Sequence, residues 1–361
     1  MSKKLLRFLA ICTIGVAVPT SSIAWAQTIT TFDAPGAGTG PGQGTFPQQN
    51  IQPGEIVGFY VDANNVNHGF LRSKQGTFTT FDAPGAATGP GQGTLALGIN
   101  ESGAITGFYY DANNARHGYL RSKQGSFTTF DVPGATRTNA TAINPSGVIS
   151  GNYRDFSGGR HGFVRAKDGT ITSFDPVGSA ATFQDTLGIN PAGTISIPFF
   201  DASGLNHGAV RAKDGTITTF DAPGAGTDGT MGQGTFPSMI SPVGTIPGLY
   251  IDASNVQHGF VRDPDGTITT FDVPGAATGP GQGTIISAIN PVGVITGEYF
   301  DGNFATHGFV RTHDGTITSF DPPGAGTGPG QGTGPLSITP SGAITGFYSD
   351  ANDVGHGFVR Q

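Results

Sequence analysis

Cysteine is almost absent from this chain of 361 residues: the one copy, Cys12, lies in a hydrophobic stretch near the start. Ile11 precedes it where a lipid-attachment signal would want a small residue, so Cys12 is read as an ordinary member of that stretch. Residues 27–361 hold no cysteine, which excludes disulfides, thiol catalysis and cysteine metal sites there. Basic residues are few. Of the 18 Lys and Arg, Lys3, Lys4 and Arg7 precede residue 27, leaving 15 against 25 acidic residues and a net charge of −10. That balance repels a phosphate backbone and speaks against a nucleic-acid partner. No apolar run reaches the roughly 20 residues that a membrane-spanning helix needs, and the longest is Phe8–Pro19. Capped helical periodicity is missing throughout.

What is present begins with Met1–Ala26, which has the parts of a secretory signal: three basic residues, an apolar run, and Ala24-Trp25-Ala26 ahead of Gln27. Cleavage after Ala26 is expected, with residues 27–361 forming one exported domain, secreted or periplasmic. The rest is a repeat array. The stretch Gly103–Asp131 recurs seven times, with aspartates at Asp62, Asp111, Asp155, Asp201, Asp252, Asp301 and Asp350. Each is followed by a His-Gly pair, at His68, His117, His161, His207, His258, His307 and His356, so the spacing runs 49, 44, 46, 51, 49 and 49 residues. The 60 glycines and 25 prolines would suggest disorder without a period; with one, they read as turns between strands.

Within one repeat four segments, Leu95–Ile99, Ala104–Tyr110, His117–Arg121 and Ser126–Phe130, are separated by Asn100–Gly103, Asp111–Asn114 and Lys123–Gly125. Turns this short pair consecutive strands antiparallel. Four strands per repeat, seven times over, predicts an all-β, seven-bladed β-propeller. After Met1–Ala26 the chain opens with Thr28–Asp33, a copy of the fourth strand, and it ends on His356–Arg360, a copy of the third. The N-terminal strand is therefore expected to close the last blade. A right-handed β-solenoid is the other architecture open to such a repeat, but its capping ends are not evident.

At His68-Gly-Phe-Leu-Arg72, Phe78-Thr-Thr-Phe-Asp82, Gly98-Ile-Asn100 and Gly103-Ala-Ile-Thr-Gly107 the chain resembles the bacterial extracellular repeat family named for its His-Ala-Phe (HAF) step. Gly replaces Ala in all seven copies. The resemblance runs from Thr28 onward and implies an exported, propeller-like protein; it implies no activity.

A histidine present once in every repeat lies on a ring too wide for one ion. The seven are expected to bridge strands, with Asp82 and its equivalents as partners, while His313 is off register at a hairpin tip. The Asp-Ala-Asn-Asn turns resemble calcium loops but lack the glycine and distal glutamate of the twelve-residue loop, so no metal or cofactor is expected. The Gly-Thr-Gly-Pro-Gly-Gln-Gly-Thr runs imitate a phosphate cradle without the following helix. Among the acids outside the repeated positions, Glu298 stands mid-strand where other copies carry Phe59, Phe108 and Phe347, and is read as a solvated position near a strand end. It has no second carboxylate for glycosidase chemistry.

The interblade loops and the Asp turns are alternate connections, so both belong to one face. Most of these loops are long; those at Val132–Thr141 and Pro176–Thr186 are short and predict a notch. Four arginines gather beside it: Arg137 in the short loop, Arg154 and Arg160 flanking the third repeat's hairpin, and Arg116 in the neighbouring turn. With Phe156 to stack on a sugar they form the candidate site for an anionic glycan or another envelope polymer. The preferred reading is an exported, non-catalytic binding or scaffolding protein. A polysaccharide lyase or hydrolase and a purely structural surface protein stay open as alternatives.

Overall fold

Local turn chemistry divides each repeat into strands. In the second repeat they are Gly93–Ile99, Ile105–Tyr110, Arg116–Arg121 and Phe127–Phe130, each paired antiparallel with the next. Asn100 Oδ1 accepts the amides of Ser102 and Ala104, and Asp111 Oδ1 those of Asn113 and Ala115. Both side chains thereby do the work of a tight turn. This architecture is that of a computed structural model describing residues 27–182 and 188–361. The signal-peptide reading of Met1–Ala26, and part of the loop expected at Pro176–Thr186, lie outside those residues.

The described residues are all-β, apart from one short 3-10 turn at Gly229–Met231. The ladders form one sheet of 20 strands, drawn from repeats one, two, three, six and seven, and one of nine from repeats four and five. In the fourth repeat the described parts of the first strand are Ser179–Thr182 and Gly188–Ile189. Ile29–Phe32 pairs antiparallel with Gly357–Arg360 at the far end of the chain.

Six of the seven repeats bury an aromatic two residues after the histidine: Phe70, Tyr119, Phe163, Phe260, Phe309 and Phe358 are fully buried, and a buried Ala209 takes the place in the fourth. Burying one such ring contributes about 2–3 kcal/mol. A second contact, invisible in the strand pattern, joins each repeat to the preceding one. The arginine ending the third strand lies over the phenylalanine ending the preceding repeat's fourth strand, as in Arg121 over Phe81 at 4.6 Å and Arg165 over Phe130 at 4.8 Å. Seven such pairs occur, including Arg360 over Phe320 and Arg72 over Phe32. One isoleucine from every repeat, from Ile51 to Ile338, lines a cavity of 180 Å³.

Single parallel bridges also link neighbouring repeats, Asn67 to Gly93 being one. Gly93 holds φ +106°, and a Cβ there would stand 2.0 Å from the Asn67 carbonyl oxygen, so only glycine fits. The third repeat departs from this rule. Arg137 replaces the glycine, and the strand begins earlier, spanning Ala135–Ile143. Most of Val132–Thr141 is therefore strand, a correction to the loop expected there: Ala135 and β-branched Thr136 are already extended ahead of Arg137, while Thr138 keeps the place and the hydrogen bond of Thr94 in the second repeat.

Candidate functional site

The inter-repeat loops and the Asp turns sit side by side because glutamines tie them together. Gln43 Oε1 accepts the Gly40 amide of its own loop, and its Nε2 donates to Asn65 Oδ1 in the adjacent turn. Gln92 does the same with Gly89 and Asn114, and Gln331 with Gly328 and Asp353. The third repeat has no such glutamine. Its surface is left open.

Every turn on this face carries a carboxylate–imidazole–carboxylate relay. The seven Nδ1 atoms lie 2.8–3.0 Å from Asp82, Asp131, Asp175, Asp221, Asp272, Asp321 and Asp33, and the Nε2 atoms 3.3–3.7 Å from the turn aspartates. Each ring lies against an aromatic, Tyr60 on His68 and Tyr250 on His258 at 4.9 Å. These side chains are 20–27% exposed, so the imidazoles sit at the rim of the core and not within it. No group of three His, Asp or Glu among the described residues could hold a metal ion.

The seven turn carboxyls are held below the ordinary carboxylate range by their surroundings. Burial pushes the Asp62 carboxyl up, but the amides of Val66 and Asn64 outweigh it and hold the group below the ordinary carboxylate range. At Asp155 the Ser157 hydroxyl leads, with the Gly159 amide and His161 adding to it. Burial lowers His161, and the opposing pull of Asp175 and Asp155 leaves it raised. A depressed carboxylate contributes stability above its unfolded pKa of about 4 and loses it as pH falls through the folded value. A raised histidine contributes fully below about 6.5 and loses that as pH rises through its folded value. The enclosed Glu298 carboxyl, pushed up to about 7, contributes fully below about 4.5 and loses that as pH rises through its folded value. The melting temperature is thus expected to be highest near roughly pH 4 to 5, to fall steeply below, and to decline above as Glu298 and then His161 lose their protons. Differential scanning fluorimetry from acid to neutral pH checks this, and a melting temperature unchanged down to pH 2 would overturn it.

The third repeat places its arginines in a continuous row. Arg116 is the Cα partner of Arg137, Arg137 of Arg154, and Arg154 of Arg160. Like charges directly opposite one another destabilise a sheet, so the row runs against folding preference. No salt bridge joins any of the four to a carboxylate among the described residues. Arg137, Arg154 and Phe156 line one cleft of 500 Å³ together with Asn113, Asn114 and Thr136. Phe156 is 81% exposed. Arg116 and Arg160 continue the row at its two ends without lining the cleft. Arg116 lies over the rings of Phe108 and Tyr110 and donates to Asn139 Oδ1, while Arg154 Nε donates to the Gly158 carbonyl. His313 lines a separate groove with Val243 and Val292.

Two features escaped the sequence reading. Asn139 and Asn152, both buried, hydrogen-bond to each other at 2.7 Å behind Arg116, where other repeats carry the apolar pair Leu95 and Phe108. The break in the repeat was visible, but its connection to the arginines was not. Glu298 is a correction. It is half-buried between strands, not solvated, and its enclosure pushes the carboxyl up to about 7 although one edge still meets solvent.

No protein-family model matches the chain, and no curated protein matches its sequence. Among solved structures it is similar to a lectin from Burkholderia pseudomallei, with 12% identity and a TM-score of 0.57 over 86% of this chain and 93% of the lectin. It is also similar to a prolyl endopeptidase, at 12% identity and TM-score 0.57, and to puromycin hydrolase, at 12% and 0.51. The chain spans 46% and 50% of those two enzymes. At such identity the likeness is one of fold: this is an all-β, propeller-like protein.

Proposed function

We propose that the chain is an exported, non-catalytic carbohydrate-binding protein that holds an acidic glycan at the arginine row of its loop-bearing face. The observation that carries this reading is the row itself: Arg137, Arg154 and Arg160 in consecutive register, without carboxylate partners, on a protein with an excess of acid. Guanidinium groups pair with carboxylate or sulfate oxygens in a bidentate fork, and an exposed phenyl offers a sugar its flat face. Reading Met1–Ala26 as an export signal, we propose that it acts in the periplasm or outside the cell, and that the repeat is of the His-Ala-Phe type that it resembles.

The architecture we propose is a seven-bladed propeller closed by its N-terminal strand. Support comes from the pairing of Ile29–Phe32 with the last strand, from the cavity to which every repeat contributes, and from the Arg–Phe contacts that run from each repeat to the one before. A glycan array with the mature protein at low and at physiological salt tests the function. Uronate-bearing or sulfated glycans are expected as hits, with signals falling as salt shortens the screening length toward about 8 Å. Hits confined to neutral glycans, indifferent to salt, would overturn it.

A further inference from the structure

Near the axis, the second strand of most repeats carries a bulky apolar residue, and the first strand of the following repeat packs another against it. Phe347 and Phe46 form one such pair at 5.4 Å. Between the sixth and seventh repeats both members are replaced. Glu298 stands in the phenylalanine position and Gly334 in the facing one. A Cβ on Gly334 would lie 3.1 Å from Glu298 Oε2 and 3.5 Å from the Phe347 ring, so the carboxyl occupies space that a side chain holds elsewhere.

Nothing among the described residues answers that carboxyl. Its Cα partners are Ile285 and Gly308, and no hydrogen bond or ion pair joins it to a described residue. The equivalent Asn152 shows how a purely structural polar group is treated in this fold: it is hydrogen-bonded to Asn139. Two residues beyond Glu298, and so on the same face of the strand, is Phe300. It meets Phe304 edge-on at 6.4 Å. Phe304 is 42% exposed and holds φ +62°, a left-handed value that the chain otherwise gives, outside glycine, to Asn65, Asn114, Asn255 and Asp353. A phenyl side chain is rarely held there, and this one gains little burial in return.

We propose that Glu298, backed by Gly334 and flanked by Phe300 and Phe347, is a binding site for a primary ammonium group such as that of an amino sugar. A desolvated carboxylate without a counter-charge is costly, and an ammonium supplies both the charge and the missing hydrogen bonds. Aromatic faces beside it add a cation–π attraction. A divalent metal would want several oxygen ligands, and here there is one carboxylate. No charged group faces Glu298 from either flanking strand or from the seventh repeat, and burial alone raises its carboxyl to about 7. An arriving ammonium must therefore displace a proton, and binding strengthens as pH rises toward neutrality. The site lies three repeats from the arginine row and stands whether or not that row binds an acidic glycan.

The chain contains three glutamates, Glu55, Glu101 and Glu298, so carboxyl-13C glutamate labelling gives three assignable signals. Titration with glucosamine hexamer is expected to lower the apparent pKa of the Glu298 signal and to release protons in calorimetry; the fully N-acetylated hexamer should do neither. Glu298→Gln, close in shape, and Glu298→Phe, which restores the common repeat residue, should each weaken glucosamine-hexamer binding at least tenfold. A Glu298 signal indifferent to glucosamine hexamer, or equal binding by Glu298→Gln, overturns the proposal.

Discussion

Removal of Gln27–Ala34 is expected to lower the melting temperature by roughly 10 °C or more. The segment belongs to both ends of the molecule at once. Ile29–Phe32 pairs with Gly357–Arg360, and Thr28 and Gln361 exchange backbone hydrogen bonds beyond it. Phe32 lies under the Arg72 guanidinium at 4.5 Å, Asp33 holds His356, and the Ala34 amide donates to Thr45 Oγ1. Ile29 and Phe32 are half-buried and contribute about 1–2 kcal/mol each. The ladder hydrogen bonds add about 1 kcal/mol apiece. The sum is on the order of 5 kcal/mol, a large part of the 5–15 kcal/mol that holds a typical domain. Phe32→Ala alone should cost about 2–3 kcal/mol. Thermal melts of the two variants beside the mature chain decide it: a deletion that melts within about 2 °C of the parent would mean that the strand closes nothing.

Neutralising the cleft, with Arg137→Gln and Arg154→Gln together, is expected to weaken uronate-oligomer binding on the order of 100-fold. Two charge-assisted contacts are lost, each contributing about 1.5–3 kcal/mol when its partner is fully engaged. The same substitutions relieve repulsion between directly opposed cations, which is destabilising by about 0.2–1 kcal/mol per pair. The variant should therefore bind less and melt no lower. That combination separates a ligand site from a structural one, since an arginine kept for packing would lose stability on removal. Calorimetric titration with a galacturonate oligomer and a neutral oligomer of equal length reads the first effect; equal affinity of parent and variant for the acidic oligomer would remove the row from consideration.

The strands were legible because their causes are local. Asn100, Asp111 and their repeat equivalents fold the chain back within two to four residues, and the observed strand ends fall within two residues of those expected. The four arginines could be picked out as departures from the repeat, and the antiparallel series put them on one face. Their register could not be read. It depends on Ala135–Ile143 starting early and reaching Arg116 in another repeat, a non-local pairing that strand propensity does not encode. The notch was expected from loop length, whereas the open cleft comes from that early strand and from the missing glutamine tie.

The amino-acid sequence by itself determined the seven units, their antiparallel strands and, in six of them, the pairing of the histidine with the aspartate fourteen residues on, because these follow from turn chemistry repeated at short range; His356 instead finds Asp33 from the other end of the chain. Only the tertiary structure decided what lies between units. Arg121 finds Phe81, Glu298 finds the space above Gly334, and four arginines align into one row, since neighbouring sheets meet at distances that sequence separation does not record.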